Sequence, residues 1–230
     1  MDFHQSVKPI LFVLTSHRGT GDSGFYLPEL THPLHVLEQA GIPTEFASPE
    51  GGLPPVYGVE LDDPVNARYW QDSAFQQKLK NTLVLSEVDR QQYSGIMYVG
   101  GHGTMWDFPT DATIISLTRD MFENNQVVAA VCHGPAALVN VQLSNGNWLV
   151  DGKRVAAFTN TEEQAVGMTQ AVPFLLETAL KEHGAQHEKA GDWQSQVVVD
   201  GNLITGQNPQ SATGVGEAIR NQLLNKASQA

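Results

Sequence analysis

Cys132 is the only cysteine in this chain of 230 residues, and it stands where a nucleophile would be placed. Residues 127–139 read VVAAVCHGPAALV: a β-branched run stops at Cys132, His133, Gly134 and Pro135 follow, and an Ala/Leu run suited to a helix comes next. This is the strand–nucleophile–helix layout of a nucleophile elbow. A strand end fixes the residue at the turn above the sheet. The following helix turns its unpaired N–H groups back toward that residue, and its dipole favours negative charge there. The expectation is a thiol that loses its proton easily and attacks as thiolate. Gly134 would leave room for a substrate, and Pro135 suits a first helical turn because it needs no donor there. A lone cysteine is often only a small core residue; this context points instead to chemistry. His133, adjacent in a tight elbow, can reach the same site to relay protons or hold the thiolate, or it can serve only as a fixed hydrogen-bond partner.

A second glycine-rich turn supplies a complement. Gly100 and Gly101 directly follow the run SGIMYV, so their N–H groups, with that of His133, are candidates to face an oxyanion; a tight turn that needs glycine is the plainer alternative. His102 and Trp106 in the same loop are candidates to line the pocket. His32 and His35 share one helix face with Glu29 nearby. That set resembles zinc ligation loosely and lacks a fourth ligand, so it reads as a surface histidine pair and no metal is expected.

The elements that must position these groups are legible in outline. Residues 9–15 form a near-continuous apolar run, the pattern of a strand buried on both faces. The polar loop SHRGTGDSG follows, then a helix from Pro28 closed by Gly41, then a strand over 44–48. This is a βαβ unit and implies a parallel sheet. Residues 49–70, rich in proline and glycine, read as a long loop, of the kind that often shapes a site. Helices are expected over 71–81 and 110–124, the latter capped by Thr110 or Asp111, and strands over 94–100 and 127–131. Residues 148–159 alternate around Asp151-Gly152 and predict a hairpin. Helices over 160–167, 173–183 and 209–225 and a hairpin about Gly201-Asn202 complete the chain. The sum is a single-domain, doubly wound, flavodoxin-like α/β sandwich over residues 1–230, with sites at the C-terminal ends of its mostly parallel strands.

Composition agrees with a folded globular protein, at 41% hydrophobic and 17% charged residues. A net charge of −12 and the lack of any Lys/Arg cluster argue against nucleic acid or an anionic membrane as partner. A lone thiol fits a reducing compartment, and MDFHQSVKPILFVLTSH lacks the basic start and cleavage site of a signal peptide, so a cytoplasmic location is expected.

The chain resembles the ThiJ/PfpI superfamily, whose members have a class I glutamine-amidotransferase-like fold. The resemblance rests on AVCHGPAAL, YVGGHGTMWDFP, GFYLPELTHPLHVLEQAG, EFASPEGG, VAAFTNTEEQAVG and VVVDGNLITGQNPQSA, which span nearly the whole sequence. It is nearest to the heat-shock-chaperone-like branch, whose members are described as glutathione-independent glyoxalases (glyoxalase III), holding chaperones or protein deglycases. The resemblance implies a small carbonyl substrate, a homodimer and no organic cofactor. It implies Cys132 as nucleophile, Glu29 as the protonated glutamate bonded to the thiolate, and Glu163 as acidic partner of His133. Burial beside a thiolate raises a carboxyl pKa, so a shared proton is physically sensible. Glu162 competes with Glu163, and both Thr159-x-x-Glu162 and Asn160-x-x-Glu163 look like helix caps. Relatives carry a compact Pro-x-Asp-Pro-x-Ser segment where residues 54–66 here read PPVYGVELDDPVN, a departure that bears on pocket shape. The implied activity is conversion of methylglyoxal to D-lactate; the same site also suits an amide or deglycase-type hydrolase, and a chaperone or oxidation sensor is the reading from another class.

Overall fold

The computed structural model describes residues 7–19 and 23–229. The N-terminal residues 1–6, read above for a signal, and residues 20–22 of the first glycine-rich loop lie outside the described residues. The core is a seven-stranded sheet in the spatial order Val197–Asp200, Leu203–Gly206, Val127–Val131, Gly95–Tyr98, Ile10–Val13, Thr44–Ser48, Leu83–Val84. Every neighbouring pair is parallel except the edge hairpin, which turns at Gly201 with φ +60.

The near-continuous apolar runs have a direct structural reason. Alternate residues of each strand feed two separate cores, one on each face of the sheet. Leu11, Val13, Ile96, Tyr98, Val128 and Ala130 meet Ile114, Leu117 and Met121 of the helix Ala112–Glu123. Ile10, Phe12, Met97, Val99, Val127 and Ala129 meet Leu30, Leu34 and Leu37 of the helix Leu27–Gln39 and Ile219 of the helix Ala212–Gln229. Asp111, not Thr110, caps its helix, accepting from the Ile114 N–H at 2.9 Å. Among the described residues no helix is long and apolar enough to cross a membrane.

Three segments depart from the sequence expectation. Residues 49–70 are not all loop: Val56–Tyr57 pairs in parallel with Phe25–Tyr26, and Pro64–Trp70 is a helix capped by Asp63. The Asp-Pro pair is a cap followed by a proline in the first turn, where its missing N–H is no loss. Residues 148–159 do not form a hairpin. Arg154–Val155 pairs in parallel with Gln186–His187, and the run beyond it crosses to the elbow, where the Phe158 N–H donates to the Cys132 carbonyl at 2.9 Å. The run after the elbow is a five-residue 3-10 stretch, Gly134–Leu138, rather than a full helix. Gly134 leaves no room for substrate, because a Cβ there would fall on the Tyr98 carbonyl; it lets the elbow close onto the neighbouring strand.

Candidate active site

The C-terminal ends of the strands Gly95–Tyr98 and Val127–Val131 open into a cavity of about 420 Å³ with Cys132 in its floor. Cys132 has φ +61, the left-handed region that costs a side-chain-bearing residue about 1–3 kcal/mol. Its backbone is pinned on both sides: its N–H donates to the Gly206 carbonyl and its own carbonyl accepts from Phe158, both at 2.9 Å. The turn therefore holds the side chain up from the sheet, as an elbow should.

Three groups to one side of the thiol form a closed hydrogen-bonded set. His133 Nδ1 lies 3.6 Å from Cys132 Sγ. His133 Nε2 is 2.7 Å from Glu163 Oε2, and His102 Nε2 is 2.7 Å from Glu163 Oε1. Burial works against the charge on Glu163, but hydrogen bonds from His102 and His133 overcome it and hold the carboxyl at about 2. An ionised carboxylate only accepts, so each Nε2 carries a proton toward Glu163. Burial, with the neighbouring His102, pushes the His133 pKa down, which agrees with a neutral ring. The bare Nδ1 of His133 faces the thiol. His102 Nδ1 lies 3.3 Å from the Tyr57 hydroxyl, which also accepts the His102 backbone N–H at 3.2 Å. His102, His133 and Glu163 offer three ligand atoms within 4.8 Å of one another, a spacing a metal ion could use. Here the two ring protons already fill that role, one on each carboxylate oxygen.

The other side of the thiol differs. Glu29 is 1% exposed, and neither of its carboxyl oxygens has a hydrogen bond of good geometry. Burial pushes its pKa up to about 8, with Cys132 and the Gly100 N–H close enough to oppose this in part. Gly100 is glycine for a steric reason, since a Cβ there would land on the Glu29 carboxyl. Its N–H faces that carboxyl, so its part in the site is with Glu29 and not as an expected oxyanion donor. Gly101, at φ +126, sits against the backbone of residues 24–26 and makes the tight turn.

The thiol itself reverses an expectation. Its pKa is raised, first by burial and then by the charge of Glu29 and the hydrogen bond with it. The short 3-10 stretch after the elbow has too few aligned peptides to supply a strong opposing dipole. Removal of the thiol proton therefore falls to a neighbouring base.

The adjacent glutamates have separated roles. Glu163 faces the two histidines, whereas Glu162 closes the capping box with Thr159. Glu162 also accepts from Gln207 Nε2 at 3.1 Å, Asn208 Nδ2 at 2.9 Å and the Trp193 N–H at 3.0 Å. Trp106 does not line the cavity; it is partly exposed and stacks on His17 at 5.1 Å. His32 and His35 do not converge with Glu29. His32 Nε2 pairs with Asp63 at 2.6 Å, and His35 Nδ1 meets Arg68 at 3.1 Å. The groups missed by sequence reading are the aromatic Tyr26, Tyr57, Phe158 and Trp193, together with Val166, Met168 and Pro209, all of which line the cavity. Tyr57 lies within the departing segment 54–66, the one sequence signal that pointed to it.

The chain is 30% identical over 232 residues to glyoxalase 3 of Candida albicans, covering 91% of this chain and 96% of the relative. It is 28% identical over 221 residues to the glutathione-independent glyoxalase HSP31 of Saccharomyces cerevisiae, covering 89% and 93%. Among solved structures it superposes on Rapid Encystment Protein 24 kDa of Francisella tularensis with TM-score 0.90 at 42% identity, covering 94% of this chain and 99% of that one. It superposes on glyoxalase III of C. albicans with TM-score 0.86 at 28% identity, covering 93% and 96%. The DJ-1/PfpI family model matches residues 21–222, and the chain belongs to the DJ-1/PfpI family.

Proposed function

We propose that this protein is a glutathione-independent glyoxalase that converts methylglyoxal to D-lactate at Cys132. The observation that carries the reading is the pair of groups around the thiol: a bare imidazole nitrogen, 3.6 Å away, and a carboxyl held neutral near pH 7 by burial. His133 takes the thiol proton, and Glu163 stabilises the imidazolium that results. The thiolate adds to the aldehyde carbon, and Glu29 delivers its proton to the new alkoxide, giving a hemithioacetal. Glu29, now a carboxylate, removes the hydrogen from that carbon. The electron pair moves to the ketone oxygen, which takes the proton from the His133 imidazolium, giving an enediol and a neutral His133. Glu29 returns its proton to the neighbouring carbon as the C1 hydroxyl gives its own proton back to Glu29, leaving a thioester and a protonated Glu29. C1 is thereby oxidised to a thioester while C2 is reduced to an alcohol, so no external redox partner is needed. Water, deprotonated by His133, cleaves the thioester and restores the thiol. A group with a pKa of about 8 suits this double duty, since it gives and takes protons near neutrality.

Independence from glutathione has a physical support. No Lys or Arg is among the described residues lining the cavity, and the ionised Glu163 adds negative charge beside it. The two carboxylates of glutathione would find no counter-charge there. A homodimer in the cytoplasm belongs to the same reading, and light scattering on the purified protein checks its size.

The test is turnover of methylglyoxal without glutathione, following D-lactate, with Cys132→Ser beside the wild type. Turnover that falls about 10³-fold or more in the variant is expected of a lost nucleophile. Full turnover in the variant sinks the mechanism. Amide hydrolysis by the wild type with no lactate formed moves the assignment to a hydrolase using the same Cys–His–Glu set.

A further inference from the structure

The cavity is far larger than methylglyoxal needs. Its volume, about 420 Å³, lies in the range that encloses drug-sized ligands, roughly 300–1,000 Å³. Its walls are also sorted by polarity. Cys132, His133, His102 and Glu29 are buried at the floor, while Val166, Met168 and Trp193 are partly exposed at the mouth. Aromatic rings join the two. His133 lies 4.3 Å from Phe158, centroid to centroid, and Phe158 lies 5.8 Å from Trp193. Trp193 is 38% exposed, yet it is not loose. Its φ is +62, a strained value for a bulky residue, and its N–H is bonded to the fully buried Glu162. Strain retained by a buried polar network marks a position that the fold over-determines.

From this sorting we infer that the site is built for neutral 2-oxoaldehydes carrying an aromatic or bulky apolar substituent, with the dicarbonyl head at Cys132 and the substituent against the Phe158–Trp193 face. The inference rests on the glyoxalase reading and sharpens its substrate class. A charged tail is disfavoured, because the lining among the described residues offers no cation and the apolar end offers no hydrogen-bonding side chain except the Trp193 indole. Edge-to-face or stacked contact with such rings adds to simple burial of apolar area.

The probes are phenylglyoxal, 4-carboxyphenylglyoxal and methylglyoxal, assayed without glutathione by formation of the 2-hydroxy acid. The readout is the ratio of kcat/KM between substrates within each variant, so the amount of correctly folded enzyme cancels. The wild type is expected to favour phenylglyoxal over methylglyoxal by about tenfold, and over its carboxylated analogue by a similar factor. Trp193→Ala should lower the phenylglyoxal-to-methylglyoxal ratio about five- to tenfold, mainly through KM for phenylglyoxal, and Trp193→Phe should restore most of it. A ratio that Trp193→Ala leaves unchanged, with methylglyoxal still turned over, overturns the inference and leaves the glyoxalase reading standing. Failure of the wild type on every one of these substrates overturns both together.

Discussion

Two buried carboxyls flank the same thiol, and they are in opposite states. Glu29 and Glu163 are 1% and 2% exposed, so desolvation presses on both. Glu163 has a histidine N–H on each oxygen and is held at about 2. Glu29 has no bond of good geometry on either oxygen and rises to about 8. Burial alone therefore does not set the charge of a carboxyl; the donors built around it do. In the proposed mechanism this difference is a division of labour: one side of Cys132 holds a fixed negative charge that supports a base, and the other holds a movable proton.

The contrast can be broken most sharply at Glu29. Glu29→Gln keeps the shape and removes the proton exchange, so kcat/KM for methylglyoxal should fall about 10²–10⁴-fold, the usual worth of a positioned acid–base group. The same variant should alkylate faster with iodoacetamide above pH 8, where the wild-type Glu29 is ionised and its charge holds the thiol pKa up. Slower alkylation together with lost turnover would mean a collapsed site rather than a missing proton.

Stability against pH should show the same contrast with opposite signs. Glu29 ionises near its ordinary 4.5 when unfolded and near about 8 when folded. Between those values the folded state holds the extra proton, so this group removes stability as pH rises from 4.5 to 8. Glu163 has its folded pKa at about 2, so it supports the fold above 4.5 and that support is lost as pH falls from 4.5 toward 2. Denaturant unfolding across pH should find the alkaline decline flattened in Glu29→Gln and the acid decline flattened in Glu163→Gln. Identical profiles in both variants would contradict the assignment of charge.

Glu163→Gln should cost about 10- to 100-fold in turnover, following the 1.5–3 kcal/mol of a hydrogen bond to a charged group. The smallest effect is expected at Tyr57, whose hydroxyl holds His102 and touches Glu163 only through it. Tyr57→Phe should lower kcat/KM about fivefold, near the 1 kcal/mol of one ordinary hydrogen bond. A loss as large as that of Glu163→Gln would make Tyr57 an equal member of the network instead of a support.

What was legible in the sequence follows the range of the interactions. Cys132 and His133 are adjacent, and the strand-to-turn change around them is local, so their place could be read directly. Glu29 needed the family resemblance, because its approach to the thiol depends on how a helix docks on the sheet. Glu162 and Glu163 could not be separated, since one residue on a helix is a rotation of about 100° and the capping pattern fits either. Only the fold shows that Thr159 takes Glu162 and leaves Glu163 to the histidines. The thiol's raised pKa was hidden because it depends on burial and on the shortness of the stretch Gly134–Leu138, neither of which a motif records. Trp193 was overlooked because it lies in an irregular segment, where neighbours in sequence do not fix the direction of a side chain. Trp106 was misplaced because it lies on the short helix Thr104–Asp107, whose facing is set only by how that helix docks.

The cavity draws on places scattered along the chain, Glu29, Tyr57, His102, Cys132, Glu163 and Trp193, with long stretches between each and the next. Contacts so distant in sequence close late when a chain folds, because each must first overcome the entropy of a large loop. During refolding, turnover should thus recover only with the last structural phase, after most secondary structure has returned. The newly made or partly unfolded protein would have its one thiol open to solvent and no machinery to use it, so alkylation of Cys132 and turnover would report opposite ends of the same folding reaction.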